Sequence, residues 1–118
     1  EKQSIEIDTA HFESVLNGMQ ALVSVPGSRA YIPDLVFCGK TSTVENPHGL
    51  DHSGFMGFAP REDPKIAIAV YVENAGWGAR AALSTASLVI EKYVNGSVKK
   101  KWLESYVLKG NFQDAKPE

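Results

Sequence analysis

Apolar residues recur at helical spacing near the start of the chain, at Phe12, Val15, Leu16, Met19, Leu22 and Val23. The pattern predicts a helix over about residues 9–24, with Asp8 or Thr9 as its cap. Before it, Ser4-Ile5-Glu6-Ile7 alternates polar and apolar like a short edge strand. Pro26 and Gly27 stop the helix, and Gly27 to Pro33 reads as a connecting loop. Three extended segments follow, over about residues 35–45, 52–59 and 65–73, separated by Asn46-Pro47-His48-Gly49 and by Pro60 to Pro64. The second carries Gly54 and Gly57, and interior strand glycines mark close approach by another group. In the third, β-branched residues at 66, 68, 70 and 72 oppose Ala67, Ala69 and Tyr71. Both faces are apolar, so this strand is expected to be central and covered on both sides, with a helix against its alanine face.

That helix is expected over about residues 79–94, after Ala75-Gly76-Trp77-Gly78 breaks the strand, with a stripe at Ala82, Ala86, Val89, Ile90 and Tyr93. Asn95-Gly96 ends it. In the tail, residues 95–118, Lys99 to Leu108 has amphipathic character and the end from Gly110 is polar. The order of elements gives an α+β fold, a three-stranded antiparallel sheet flanked by helices.

Composition narrows the classes of function. With 118 residues and 43% hydrophobic content, one core is the expectation. A net charge of −2, with Lys99-Lys100-Lys101 the sole basic run, offers no face for a phosphate backbone, and nucleic acid is excluded as a partner. The single cysteine rules out an internal disulfide and a zinc site built on several thiolates, and Cys38 reads as a small buried hydrophobe. No segment reaches the roughly 18 to 20 apolar residues that span a bilayer, nor does the start read as a signal peptide. His48, Asp51 and His52 suggest a metal set, but Pro47 and Gly49 prevent helical spacing, and a surface turn is the stronger reading; no metal is expected.

The chemistry-bearing stretch is Cys38-Gly39-Lys40-Thr41-Ser42-Thr43. It sits in an ordered series: Tyr31-Ile32-Pro33 before it, then Glu45-Asn46-Pro47-His48-Gly49, Asp51-His52-Ser53, Gly57-Phe58-Ala59-Pro60, Pro64-Lys65-Ile66-Ala67 and Val72 to Gly78. Alone, Lys40-Thr41-Ser42 is an ordinary exposed strand. As a series, it resembles the carboxy-terminal part of the transpeptidase domain of class B penicillin-binding proteins, of the elongation type, from Asn17-Gly18-Met19 to Ile90-Glu91-Lys92-Tyr93. The resemblance implies a carboxy-terminal subdomain, a fragment of the penicillin-binding/β-lactamase-like fold, and a role in peptidoglycan D,D-transpeptidation and β-lactam binding. That chemistry uses a serine from a Ser-x-x-Lys motif, a Ser-x-Asn motif and a Lys-Thr-Gly strand. Lys40 then corresponds to the cation of the cleft, Thr41, Ser42 and Thr43 to the substrate-binding strand, and the backbone N–H of Thr43 to half of the oxyanion hole. No cofactor is implied.

The chain departs from the family pattern in three places. Ser42 stands where glycine is usual, Val44-Glu45 where Ala-Gln is expected, and Leu83-Ser84-Thr85 where Ala-Pro-Ile is expected. Ser97-Val98-Lys99-Lys100 fits Ser-x-x-Lys, but follows the third strand and reads as a chance match; no Ser-x-Asn occurs. The nucleophile is therefore expected upstream of Glu1, in the remainder of the domain, and the isolated segment is expected to be catalytically incompetent. The parent is expected at the outer face of the bacterial cytoplasmic membrane, anchored by an upstream segment. The alternative is a non-catalytic binding or scaffold module, a degenerate homologue. The strand edge and open sheet face lead to an expectation of self-association.

Overall fold

A computed structural model describes residues 1–112. Helix α1 spans Thr9–Val23; the Asp8 carboxylate caps it by accepting the Ala10 N–H at 2.9 Å. Its carboxy-terminal half packs on the sheet, and Val23 is buried, but Phe12 and Val15 stay exposed. Ser4 to Ile7 belongs to no strand, and Ile5 and Ile7 are exposed. Four alternating residues carry no information about whether a partner edge is at hand, and among the described residues none pairs with them.

Strands β1 (Cys38–Val44), β2 (His52–Ala59) and β3 (Ile66–Val72) form an antiparallel sheet in the order β1-β2-β3. β1 begins at Cys38 rather than near residue 35. The chain first turns at Ile32 to Leu35, with Asp34 at φ 64° and the Leu35 N–H bonded to the Ile32 carbonyl at 3.2 Å. Phe37 is still fully buried, so the apolar run was core without being strand.

The sheet corrects the expectation for β3. It is an edge strand, and β2 is the central one. Helix α2 (Ala81–Asn95) covers the β-branched face rather than the alanine face: Ile66, Ile68 and Val70 pack with Ala82, Leu83, Ala86 and Ile90, while Ala67, Ala69 and Tyr71 are exposed. The physical reason is the central strand. Gly39, Gly57 and Phe55 share the α2 face by register, and the Phe55 ring lies across both glycines and is buried there, filling the middle of the interface with α2. The buried stripe of α2 is correspondingly rotated: Leu83, Ser87 and Glu91 are inside, and Val89 and Tyr93 are exposed.

Gly96, at φ 82°, closes α2 with its N–H on the Lys92 carbonyl. Within the tail, Lys101–Lys109 forms a third helix, α3, packed on α2 through the fully buried Leu103. The polar end expected from Gly110 lies, beyond Phe112, outside the described residues. No helix among the described residues is long and apolar enough to cross a membrane.

Candidate active-site strand

β1 carries the Lys-Thr-Ser triplet on an edge, with β2 its one strand partner among the described residues. Register sorts its side chains. Lys40 and Ser42 share a face with Met56, Gly54, Ala69 and Tyr71; Thr41 and Thr43 share the opposite face with Phe55, Ser53, Val70 and Val72. Lys40 is exposed, and its Nζ donates to the Thr41 carbonyl at 2.9 Å. Ser42 lies over Gly54: a Cβ on Gly54 would collide with the Ser42 hydroxyl. The expected close approach at an interior strand glycine is thus met by the residue that departs from the family pattern.

The Thr43 end of the strand is held by residues distant in sequence. The Gly78 N–H donates to Thr43 Oγ1 at 3.2 Å, and a side chain on Gly78 would strike the backbone carbonyls of Ser42 and Gly54. Beside it the fully buried Ser53 hydroxyl donates to the Trp77 carbonyl at 3.0 Å and accepts the Ala82 N–H at 2.9 Å. One serine thereby fixes both the loop and the first turn of α2 against the sheet. Its presence in Asp51-His52-Ser53 was legible; its role was not, because its partners, Trp77 in the loop and Ala82 in α2, lie 24 and 29 residues on.

A second set of ties orients that loop. Asn46 Nδ2 donates to Asn74 Oδ1 at 2.7 Å and to the Leu50 carbonyl at 3.1 Å, the Gly76 N–H donates to the Asp51 carbonyl at 2.8 Å, and the Asn74 N–H donates to His52 Nδ1 at 3.0 Å. Asp51 Oδ1 accepts the Asn46 N–H at 3.2 Å. His52 and Asp51 therefore serve the junction between the β1–β2 turn and the β3–α2 loop. Among the described residues no cluster of potential metal ligands forms.

Trp77 divides between its backbone and its ring. Its backbone is anchored at the strand-to-helix junction, but its ring is 62% exposed, with the Arg80 guanidinium 4.7 Å from its centroid. Of the departures at α2, Ser84 is buried without a hydrogen-bond partner, and Thr85 Oγ1 bonds back to the Ala81 carbonyl at 2.8 Å. At the other end of β1, Cys38 is fully buried with its Sγ 3.7 Å from the Leu16 carbonyl, and burial raises the thiol pKa. Lys100, of the chance Ser-x-x-Lys match, bonds to Ser87 and not to Ser97.

No family model matches the chain. It is 37% identical over 65 residues to the peptidoglycan D,D-transpeptidase MrdA of Haemophilus influenzae, covering 51% of this chain and 10% of that protein. Over 83 residues it is 34% identical to the peptidoglycan D,D-transpeptidase PbpA of Mycobacterium tuberculosis, covering 61% of this chain and 16% of that one. The chain thus spans between a tenth and a sixth of the length of these two relatives. In structure it superposes on Pseudomonas aeruginosa PBP2, solved in complex with WCK 5153, with a TM-score of 0.64 and 30% identity, over 80% of this chain and 22% of that one. PBPA of Mycobacterium tuberculosis shares the fold at a TM-score of 0.51 and 24% identity, over 86% of this chain and 22% of that one. By sequence and by fold together, the chain is related to one segment of the transpeptidase domain of the class B penicillin-binding proteins.

Proposed function

We propose that this chain is the carboxy-terminal subdomain of a peptidoglycan D,D-transpeptidase, and that β1 is one wall of its active site. The observation that carries the reading is an edge strand that presents Lys-Thr-Ser with its outer side free of any strand partner among the described residues. An extended D-alanyl-D-alanine stem peptide, or a β-lactam in its place, adds alongside β1 through main-chain hydrogen bonds. Lys40, exposed on the open face, supplies the cation near the reacting groups. Thr41 and Thr43 supply hydroxyls for the terminal carboxylate, with Ser42 between them. The Gly78 N–H occupies one lone pair of Thr43 Oγ1 and leaves the hydroxyl proton as a donor, which is what a carboxylate requires. The Thr43 backbone N–H forms half of the oxyanion hole, and removing one such donor typically costs about 10² to 10³ in rate.

The nucleophile is a serine of the remainder of the domain. It attacks the penultimate D-alanyl carbonyl, D-alanine leaves, and a stem-peptide amine resolves the acyl-enzyme. The face bearing Lys40, Ser42, Met56 and Tyr71 is where that remainder covers the sheet; Met56 and Tyr71 are 60% and 57% exposed without it. In isolation the segment does not acylate, and it self-associates through the same face. The parent acts outside the cytoplasmic membrane, where its substrate lies.

A second reading, a non-catalytic module of the same fold, is favoured by Ser42, whose side chain fills the space over Gly54. Exposing the longer protein, joined to its upstream sequence, to labelled penicillin separates the two. A covalent adduct on an upstream serine is the expected result; no adduct under conditions that label a related transpeptidase leaves the module.

A further inference from the structure

Ser42 is the departure that bears most directly on the proposed strand site, and the neighbouring strand shows where the chain puts the extra side chain. Ser42 and Gly54 are register partners on β1 and β2. A Cβ on Gly54 would meet three Ser42 atoms before any other. It would collide with the hydroxyl oxygen, while Ser42 Cβ and the Ser42 carbonyl oxygen would lie at 3.5 and 3.6 Å, ordinary contact distances. The Ser42 side chain therefore leans across the strand pair, and its hydroxyl sits in the place that any other residue at position 54 fills with its own Cβ.

The backbone under this contact is pinned. From the α2 side, the Gly78 N–H holds Thr43 Oγ1 at 3.2 Å, and the Gly78 backbone rests against the carbonyls of both Ser42 and Gly54. On either side of Gly54, Ser53 is fully buried and tied to the Trp77 carbonyl and the Ala82 N–H, and Phe55 is buried against α2. Neither strand can shift to admit a larger residue at position 54. What can move is the Ser42 hydroxyl, which is exposed on the open face and turns about χ1 between staggered positions. One of these is the recess over Gly54; the others turn the oxygen away from β2, over β1 or towards its free edge.

We propose that Gly54 is a positioning residue for the strand site: its missing side chain withdraws the Ser42 hydroxyl from the free edge of β1. A strand that lacks the usual glycine thereby still presents an open edge to a stem peptide or a β-lactam. The proposal rests on the transpeptidase reading above. Within that reading, Ser42 and Gly54 are one unit in which volume added on β1 is taken away on β2, and the residue that decides whether Ser42 obstructs the cleft lies on the neighbouring strand.

The test is the second-order rate of acylation of the longer protein by labelled penicillin, with Gly54→Ala introduced into wild type and into a Ser42→Ala background. Ser42→Ala keeps the Cβ at its 3.5 Å contact and removes the oxygen that collides. In wild type, Gly54→Ala is expected to slow acylation at least about tenfold, since a displacement on the order of 1 Å at a reacting centre can cost up to about a hundredfold. In the Ser42→Ala background the same change is expected to cost less than about twofold, the signature of coupling between the two positions. The melting temperature is expected to stay close to that of wild type, which a purely structural role for Gly54 would not allow. A similar loss in both backgrounds, or no loss in either, overturns the proposal and leaves the transpeptidase reading standing. Absence of any adduct on the wild-type protein overturns that reading and the proposal with it. If Gly54→Ala does not fold, Ser42→Thr decides: a β-branched side chain can seat one branch in the recess and must leave the other over β1. Its acylation is expected to fall at least about tenfold, and a wild-type rate overturns the proposal.

Discussion

Ser53 and Gly78 show how much of the candidate site depends on single atoms. Ser53→Ala removes a buried hydroxyl that both donates and accepts, leaving the Ala82 N–H without its partner. We expect a loss of about 1–3 kcal/mol in urea denaturation, since an orphaned buried group loses its full solvation. Gly78→Ala places a methyl against two backbone carbonyls, which cannot move aside as a flexible side chain can. Its expected loss is at least about 2 kcal/mol, and it should also release Thr43, seen as changed amide shifts along β1. A Gly78→Ala protein as stable as wild type would mean that the loop does not press on β1. The Cys38 thiol, buried and raised in pKa, is expected to react with a disulfide reagent only on unfolding. These roles lay beyond sequence reading because a serine or glycine in a strand or loop gives no sign of a partner some 25 residues away. The Lys-Thr-Ser triplet itself was legible through its ordered neighbours.

At the scale of elements, α1, the three strands and α2 were readable from periodicity, because burying one face imposes the 3.6- and 2-residue patterns directly. Strand order was not. β3 has two apolar faces, and composition does not distinguish a central strand from an edge strand whose outer face awaits a partner. The short helix α3 shows the same limit from the other side: Glu91 and Lys100 anchor its start, and neither role is visible in the sequence, where Lys100 is one of three consecutive lysines. This anchoring gives a pH dependence. The folded pKa of Lys100 is about 8 and the unfolded value about 10.4, so between them the unfolded chain binds the extra proton and stability rises with pH. Comparing wild type with Lys100→Met by thermal melts from pH 7 to 10.5, we expect wild type to gain stability above pH 8 relative to the variant. Parallel curves would show that Lys100 is not desolvated in the folded state.

The whole molecule is notable for what it leaves uncovered. α2 seals one side of the sheet, while the side carrying Lys40 also carries exposed Ala67, Ala69, Met56 and Tyr71. Contiguous apolar surface of this kind favours association, and light scattering of the isolated chain is expected to show mass rising with concentration; a constant monomer mass would contradict that. Met56→Glu, in the centre of the face, should suppress the association without touching the α2 core. In the longer protein the same face is proposed to meet the subdomain that bears the nucleophile, which places Lys40 between a substrate strand and a serine. The most direct test is the second-order rate of acylation of that longer protein by labelled penicillin, compared with its Lys40→Ala variant. The account predicts a fall of at least about a hundredfold with the fold intact, of the size seen when a group stabilising the transition state is removed. A variant acylated within twofold of wild type would show that β1 does not form a wall of the active site.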